Sequence, residues 1–213
     1  MCSSDLACAI PLVSKIDEEN RGIQVLILVP TRELALQYVQ EVDEVSKHSG
    51  VVPFAVFGGF DMDIQKAKLK HGVHILVATP GRLIDLIWNH RLDLEQVKSV
   101  VLDEADEMLK MGFIEDVDFI MSCMMQEHQT LLFSATMPKE VERLTQQYLR
   151  DPERVELNRE QRAPQSLKHY FQHVGRNRID ALVEYVDAND VKDRKSTRLN
   201  SSHSQQSRMP SSA

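Results

Sequence analysis

Residues 25–29 read Val-Leu-Ile-Leu-Val, an unbroken apolar run closed by Pro30 and Thr31. No polar position interrupts it, so neither face of such a strand can meet water. It has to lie in a parallel sheet covered by helices on both sides. Apolar runs recur at residues 54–57 and 75–78, and behind a leading hydroxyl residue at 99–102 and 130–133, each read as a strand. Helical spacing fills the intervals. Within residues 32–47, Leu34, Tyr38, Val42 and Val45 form one stripe, Thr31 stands where an N-cap belongs, and Gly50 closes the segment. Residues 61–70, 82–88, 113–125 and 139–148 read as further helices, the last opened by Pro138. Residues 7–15 read as a helix ahead of the first strand. Strands alternating with helices predict an α/β fold built on a parallel sheet. In open sheets of this kind ligands bind beyond the carboxyl ends of the strands, and that is where the chemistry-bearing residues of this chain gather.

Asp103, Glu104, Ala105 and Asp106 follow the strand at 99–102. A carboxylate at the end of a buried strand can hold Mg²⁺ on phosphates, here Asp103 through water, because Mg²⁺ keeps much of its hydration shell. Its neighbour Glu104 can orient or deprotonate an attacking water. Taken alone, the same four residues are equally an acidic first helical turn, which the helix dipole favours. Pro30, Thr31 and Arg32 sit at a strand-to-helix junction, where free N–H groups attract anions and a guanidinium matches a phosphate. Thr79, Pro80, Gly81 and Arg82 repeat that arrangement after another strand, and Gly59 and Gly81 permit a close backbone approach. Ser134 and Thr136 place short hydroxyls at the end of a later strand, within reach of Asp106 or the backbone. Each of these groups, read singly, is a helix cap.

Read jointly, the segment from Pro30 to Ala35, the segment from Thr79 to Arg82, the acidic tetrapeptide and Ser134-Ala135-Thr136 resemble the first motor domain of a DEAD-box RNA helicase. They stand in the same order and at similar spacing, and the match covers most of residues 7–192. The resemblance implies a RecA-like, P-loop NTPase fold that uses ATP and Mg²⁺. It assigns Asp103 to the metal, Glu104 to the attacking water, and Asp106, Ser134 and Thr136 to coupling between nucleotide and RNA. Pro30, Thr31, Arg32, Gly59, Thr79, Pro80, Gly81 and Arg82 go to the RNA backbone, contacts that position a strand without reading its sequence. A second motor domain in cis is the implied partner.

One part of the pattern is missing. A phosphate cradle needs glycines followed by Gly-Lys-Ser/Thr, and none of the 8 glycines precedes a lysine. The first motor domain is therefore expected to be truncated, spanning residues 7–150. Because the strand leading into the cradle is expected inside the sheet, its loss is expected to leave an open slot, with aggregation or a molten state as the result. Residues 151–165 read as a linker with two prolines, and residues 166–192 as the start of a second domain, with a strand at 167–174 and a helix at 179–186. Residues 1–6 and 193–213 can be encoded by opposite strands of one library adapter, and both ends are expected to derive from it. The DNA of this reading frame checks that.

With 25 basic and 32 acidic residues the net charge is −7, which excludes a nonspecific basic coat for nucleic acid. Cys8 and Cys123 show no metal spacing, and a reducing, cytoplasmic setting is expected. Trp88, the only tryptophan, reads as core or partly buried, and Met124-Met125 as core filling. The intact protein is expected to be an ATP-dependent RNA helicase and the chain itself to be inactive. The alternatives are a non-catalytic RNA clamp and a related motor acting on DNA.

Overall fold

Side-chain alternation along four-residue strands decides how the layers assemble. In the computed structural model the described residues are 3–156, 173 and 178–188. The predicted strand at 167–174 (bar 173), most of the predicted linker and the adapter-like tail lie outside them. The chain divides into two units, residues 1–154 and 155–213. In the first, α1 (Ser3–Val13) precedes β1 (Val25–Leu28), α2 (Arg32–Val45), β2 (Pro53–Val56), α3 (Met62–Lys70), β3 (Ile75–Ala78) and α4 (Pro80–His90). Then follow β4 (Ser99–Leu102), α5 (Ala105–Lys110), α6 (Ile114–Ser122), β5 (Gln129–Leu132) and α7 (Lys139–Tyr148). In the second unit α8 (Arg178–Ala188) is the described element, with Ile179, Leu182, Val183 and Tyr185 exposed.

The five strands form one parallel sheet in the order β2-β3-β1-β4-β5. Alternate residues point to opposite faces. Leu26, Leu28, Leu76, Val100 and Leu102 join one core with Leu83 and Leu86 of α4, Met108 of α5, Ile120 of α6 and Val141 of α7. Val25, Ile27, Ile75, Val77 and Val101 join the other, with Cys8 and Leu12 of α1 and Leu34, Ala35, Tyr38 and Val42 of α2. Both faces of β1 are thus covered, as its composition requires, and each fully buried Leu or Ile contributes roughly 1.5–3 kcal/mol.

The expected slot is absent from the described sheet: pairing runs without a break from β2 to β5. The under-covered backbone lies at an outer edge instead. β5 is exposed or half-buried at every position, whereas β1, β3 and β4 are buried throughout. A bare edge of this kind is a template for another strand. Two further expectations are corrected. Trp88 is 69% exposed, stacked on Phe119 with ring centroids 5.6 Å apart, because it faces outward on α4. Met124 fills the core but Met125, beyond the end of α6, is 91% exposed.

Candidate nucleotide and RNA site

Because the register aligns Val56, Ala78, Leu28, Leu102 and Leu132 across the sheet, all five strands end level. The segments that follow them form one edge. In spatial order they are the loop with Gly59, the Thr79 to Arg82 turn, the Pro30 to Arg32 turn, the acidic tetrapeptide, and Ser134 to Thr136. Chain order differs: the Pro30 turn comes first in sequence but third in space.

At β1, Pro30 is buried and Thr31 caps α2, its Oγ1 accepting from the Leu34 N–H at 3.3 Å. Arg32 is exposed and forks onto Glu33 Oε1 at 3.2 and 3.3 Å. An exposed pair of this kind contributes at most about 1 kcal/mol. At β3, Thr79 precedes α4 without a side-chain cap, Pro80 fills the first helical turn, and Gly81 is exposed. Nothing lies within 4 Å of where a Cβ on Gly81 would stand. Arg82 turns toward β2 and donates to the Phe60 carbonyl at 3.1 Å. Gly59 has φ 79°, the left-handed region open to glycine, and is also exposed.

The Gly59 loop is held by a residue that sequence reading missed. Gln65 of α3 is fully buried; its Oε1 accepts from the Phe57 N–H at 3.2 Å. Its Nε2 donates to the Phe60 and Asp61 carbonyls, both at 3.2 Å. The signal in the sequence was a lone amide in the middle of a short helix, with no periodicity to mark it.

At β4, Asp103 is 3% exposed. Its Oδ1 accepts from the Glu104 N–H at 2.8 Å and its Oδ2 from the Tyr38 hydroxyl at 2.5 Å. Glu104 is half-buried, with φ 51° and ψ 48°, strained ground for a residue with a Cβ. Its carbonyl accepts from the Glu107 and Met108 N–H groups, so the strained residue starts α5. Asp106 is 4% exposed; its Oδ2 accepts from the Thr136 hydroxyl at 2.7 Å and from the Thr136 N–H at 3.2 Å. The Asp106 N–H donates to Ser134 Oγ at 3.2 Å, and that hydroxyl donates to the Thr136 carbonyl at 2.6 Å. Burial pushes the Asp106 pKa up, but the bonds from Thr136, Ser134 and the backbone, with the Lys110 charge, outweigh it and hold it below the usual carboxylate value. The backbone reinforces the link between β4 and β5, Ala105 N–H donating to the Phe133 carbonyl at 3.1 Å.

The donor set suits Mg²⁺ carried on phosphates. Among the described residues no cluster of three or more His, Cys, Asp or Glu side chains forms a metal cage. One buried, oriented carboxylate with an acidic neighbour is what a water-held Mg²⁺ on phosphates requires.

A parallel sheet with its acidic strand end beside a hydroxyl-bearing strand end fits the RecA-like domain of the DEAD-box proteins of similar structure. The chain belongs to the DEAD/DEAH box helicase family, whose model matches residues 6–144. It is 44% identical over 186 residues to the ATP-dependent RNA helicase DeaD of Klebsiella pneumoniae, covering 86% of this chain and 29% of that protein. It is 41% identical over 182 residues to the DEAD-box ATP-dependent RNA helicase CshA of Bacillus licheniformis, covering 85% of this chain and 37% of that one. Among solved structures it is similar to a DEAD box protein from the hyperthermophile Methanococcus jannaschii, with TM-score 0.67 and 42% identity over 70% of this chain and 40% of the other. It is also similar to the yeast DEAD-box splicing factor Prp28, with TM-score 0.65 and 34% identity over 70% of this chain and 37% of the other. The chain spans about a third of the length of these curated relatives.

Proposed function

We propose that this chain is the first motor domain, with the start of the second, of an ATP-dependent RNA helicase that opens short RNA duplexes. The observation that supports this best is the spatial order of the strand-end segments. Three anion-ready turns lie on adjacent strands β2, β3 and β1, and the carboxylates lie on the next strand, β4. A single RNA strand can run across the first three, its phosphates meeting Gly59, then Thr79, Pro80, Gly81 and Arg82, then Pro30, Thr31 and Arg32. Such contacts are independent of base sequence.

In this reading Asp103 would hold Mg²⁺ through water, and Glu104 would accept the proton of the water that attacks the terminal phosphate of ATP. Mg²⁺, when bound, neutralises charge on the phosphate oxygens. Asp106, Ser134 and Thr136 tie the catalytic strand end to β5, so that hydrolysis and RNA grip change together. The second motor domain completes the site in cis. Among the described residues no helix is long and apolar enough to cross a membrane, and a cytoplasmic setting accords with RNA as substrate. A second reading, an RNA clamp without catalysis, draws on the Gly59 loop, which Gln65 and Arg82 hold in place through the Phe60 carbonyl.

Salt titration of single-stranded RNA binding tests the proposal in the intact protein with a non-hydrolysable ATP analogue. Each lost phosphate contact reduces the slope of log affinity against log salt by about 0.7. Arg32→Ala, at an exposed position, is expected to reduce it by that amount across unrelated RNA sequences. An unchanged slope and affinity would remove this edge as the RNA site.

A further inference from the structure

We infer that Tyr38 is a positioning residue for the Asp103 carboxylate, setting the orientation in which Asp103 receives the waters of a bound Mg²⁺. The inference rests on the reading of Asp103 given above and adds a residue from a different element. Tyr38 lies in the middle of α2 with no exposed surface, packed into the core shared with α1 and β1. Its position in the apolar stripe would be met by any aliphatic side chain. A tyrosine there carries a hydroxyl into the interior, and a buried hydroxyl has to find a partner. The partner is Asp103 Oδ2, 2.5 Å away and 65 positions on in the chain.

The geometry at Asp103 makes that bond more than satisfaction of a stray hydroxyl. Rotation of an aspartate about its terminal torsion is broad and poorly defined by intrinsic preference. One bond, from the Glu104 N–H to Oδ1, leaves that rotation open. The second, from Tyr38 to Oδ2, fixes the carboxylate plane from the opposite side. Each oxygen keeps a free lone pair, so both can still accept from metal-bound water. Tyr38 is also anchored at both ends: its ring is held by the core, and α2 is capped at Thr31. Groups that orient a metal-binding carboxylate typically change metal affinity by about 10- to 100-fold when removed.

The test uses the intact protein with a non-hydrolysable ATP analogue and Mn²⁺ as a paramagnetic probe for Mg²⁺. Tyr38→Phe removes one oxygen and keeps the ring in the core. Mn²⁺ affinity, read from the electron paramagnetic resonance of free ion, is expected to weaken about tenfold, with affinity for the metal-free nucleotide unchanged. A folded Tyr38→Phe protein with wild-type Mn²⁺ affinity overturns the inference, because a merely structural tyrosine would lower thermal stability alone. Asp103→Asn is the companion variant. If it leaves Mn²⁺ affinity intact, the assignment of Asp103 fails, and the role of Tyr38 with it. Should Tyr38→Phe not fold, 3-fluorotyrosine placed at position 38 supplies the readout. Its ¹⁹F resonance is expected to broaden with Mn²⁺ and nucleotide in the wild-type background and not with Asp103→Asn; no broadening in either overturns the inference.

Discussion

Glu104→Gln is expected to lower the RNA-stimulated ATPase rate of the intact protein by about a hundredfold or more, the scale on which a positioned general base acts. The amide keeps the size of the side chain but cannot take a proton from water. Fold stability should hardly change, since Glu104 is half-buried and its backbone contacts to Asp103, Glu107 and Met108 survive the substitution. Glu104→Gly separates the same two properties in another way. The left-handed backbone at φ 51° is strained for glutamate and easy for glycine. Unfolding free energy is expected to rise by about 0.5–1 kcal/mol while hydrolysis is lost. Steady-state ATPase assays and chemical denaturation of the two variants check both statements. A Glu104→Gln enzyme within threefold of wild type would remove Glu104 from the chemistry.

The second large effect is expected at the link between β4 and β5. Thr136→Val deletes the hydroxyl that donates to Asp106 Oδ2 at 2.7 Å, and Asp106→Ala deletes the acceptor. Either change is expected to lower duplex unwinding by about tenfold, within the usual range of coupling between two sites, while ATP hydrolysis falls far less. The double variant should be little worse than Asp106→Ala alone, since that change already removes the acceptor of both the Thr136 hydroxyl and its N–H. Unwinding and hydrolysis measured side by side decide it; equal losses in both would mean that the network serves folding alone. Acidity gives an independent check. The folded-state pKa of Asp106 lies below its ordinary value of 3.8, so the ionised carboxylate stabilises the native state. That stabilisation is complete above the ordinary value and is lost as pH falls below it, through the lower folded value. Thr136→Val should therefore lose less stability than wild type on acidification through that window.

The strands were readable because burial on both faces leaves no room for polar residues. Residues 75–78 and 99–102 match β3 and β4 without adjustment, and 25–29 overruns β1 by one residue. Helix ends were less readable. Pro80 opens α4 two residues before the predicted start, because proline suits a first helical turn, and α5 hides behind the acidic motif as a helix of six residues. The site residues announced themselves by type and by position at strand ends. Their neighbours did not. Tyr38 looked like one more apolar position, since only its tertiary partner reveals what the hydroxyl does. Gln65 carried no pattern because its bonds go to backbone atoms of its own loop. The sheet order was likewise invisible, being set by which faces pack rather than by chain order.

Amide hydrogen exchange of the intact protein, with and without single-stranded RNA and a non-hydrolysable ATP analogue, tests the proposed edge most directly. Protection is expected at residues 30–33, 58–61 and 79–82, after β1, β2 and β3, and at 103–106 after β4. Residues 19–24, 71–74 and 94–98, at the opposite ends of the strands, are expected to exchange as before. Protection confined to that opposite end, with the strand-end turns unchanged, would contradict the account.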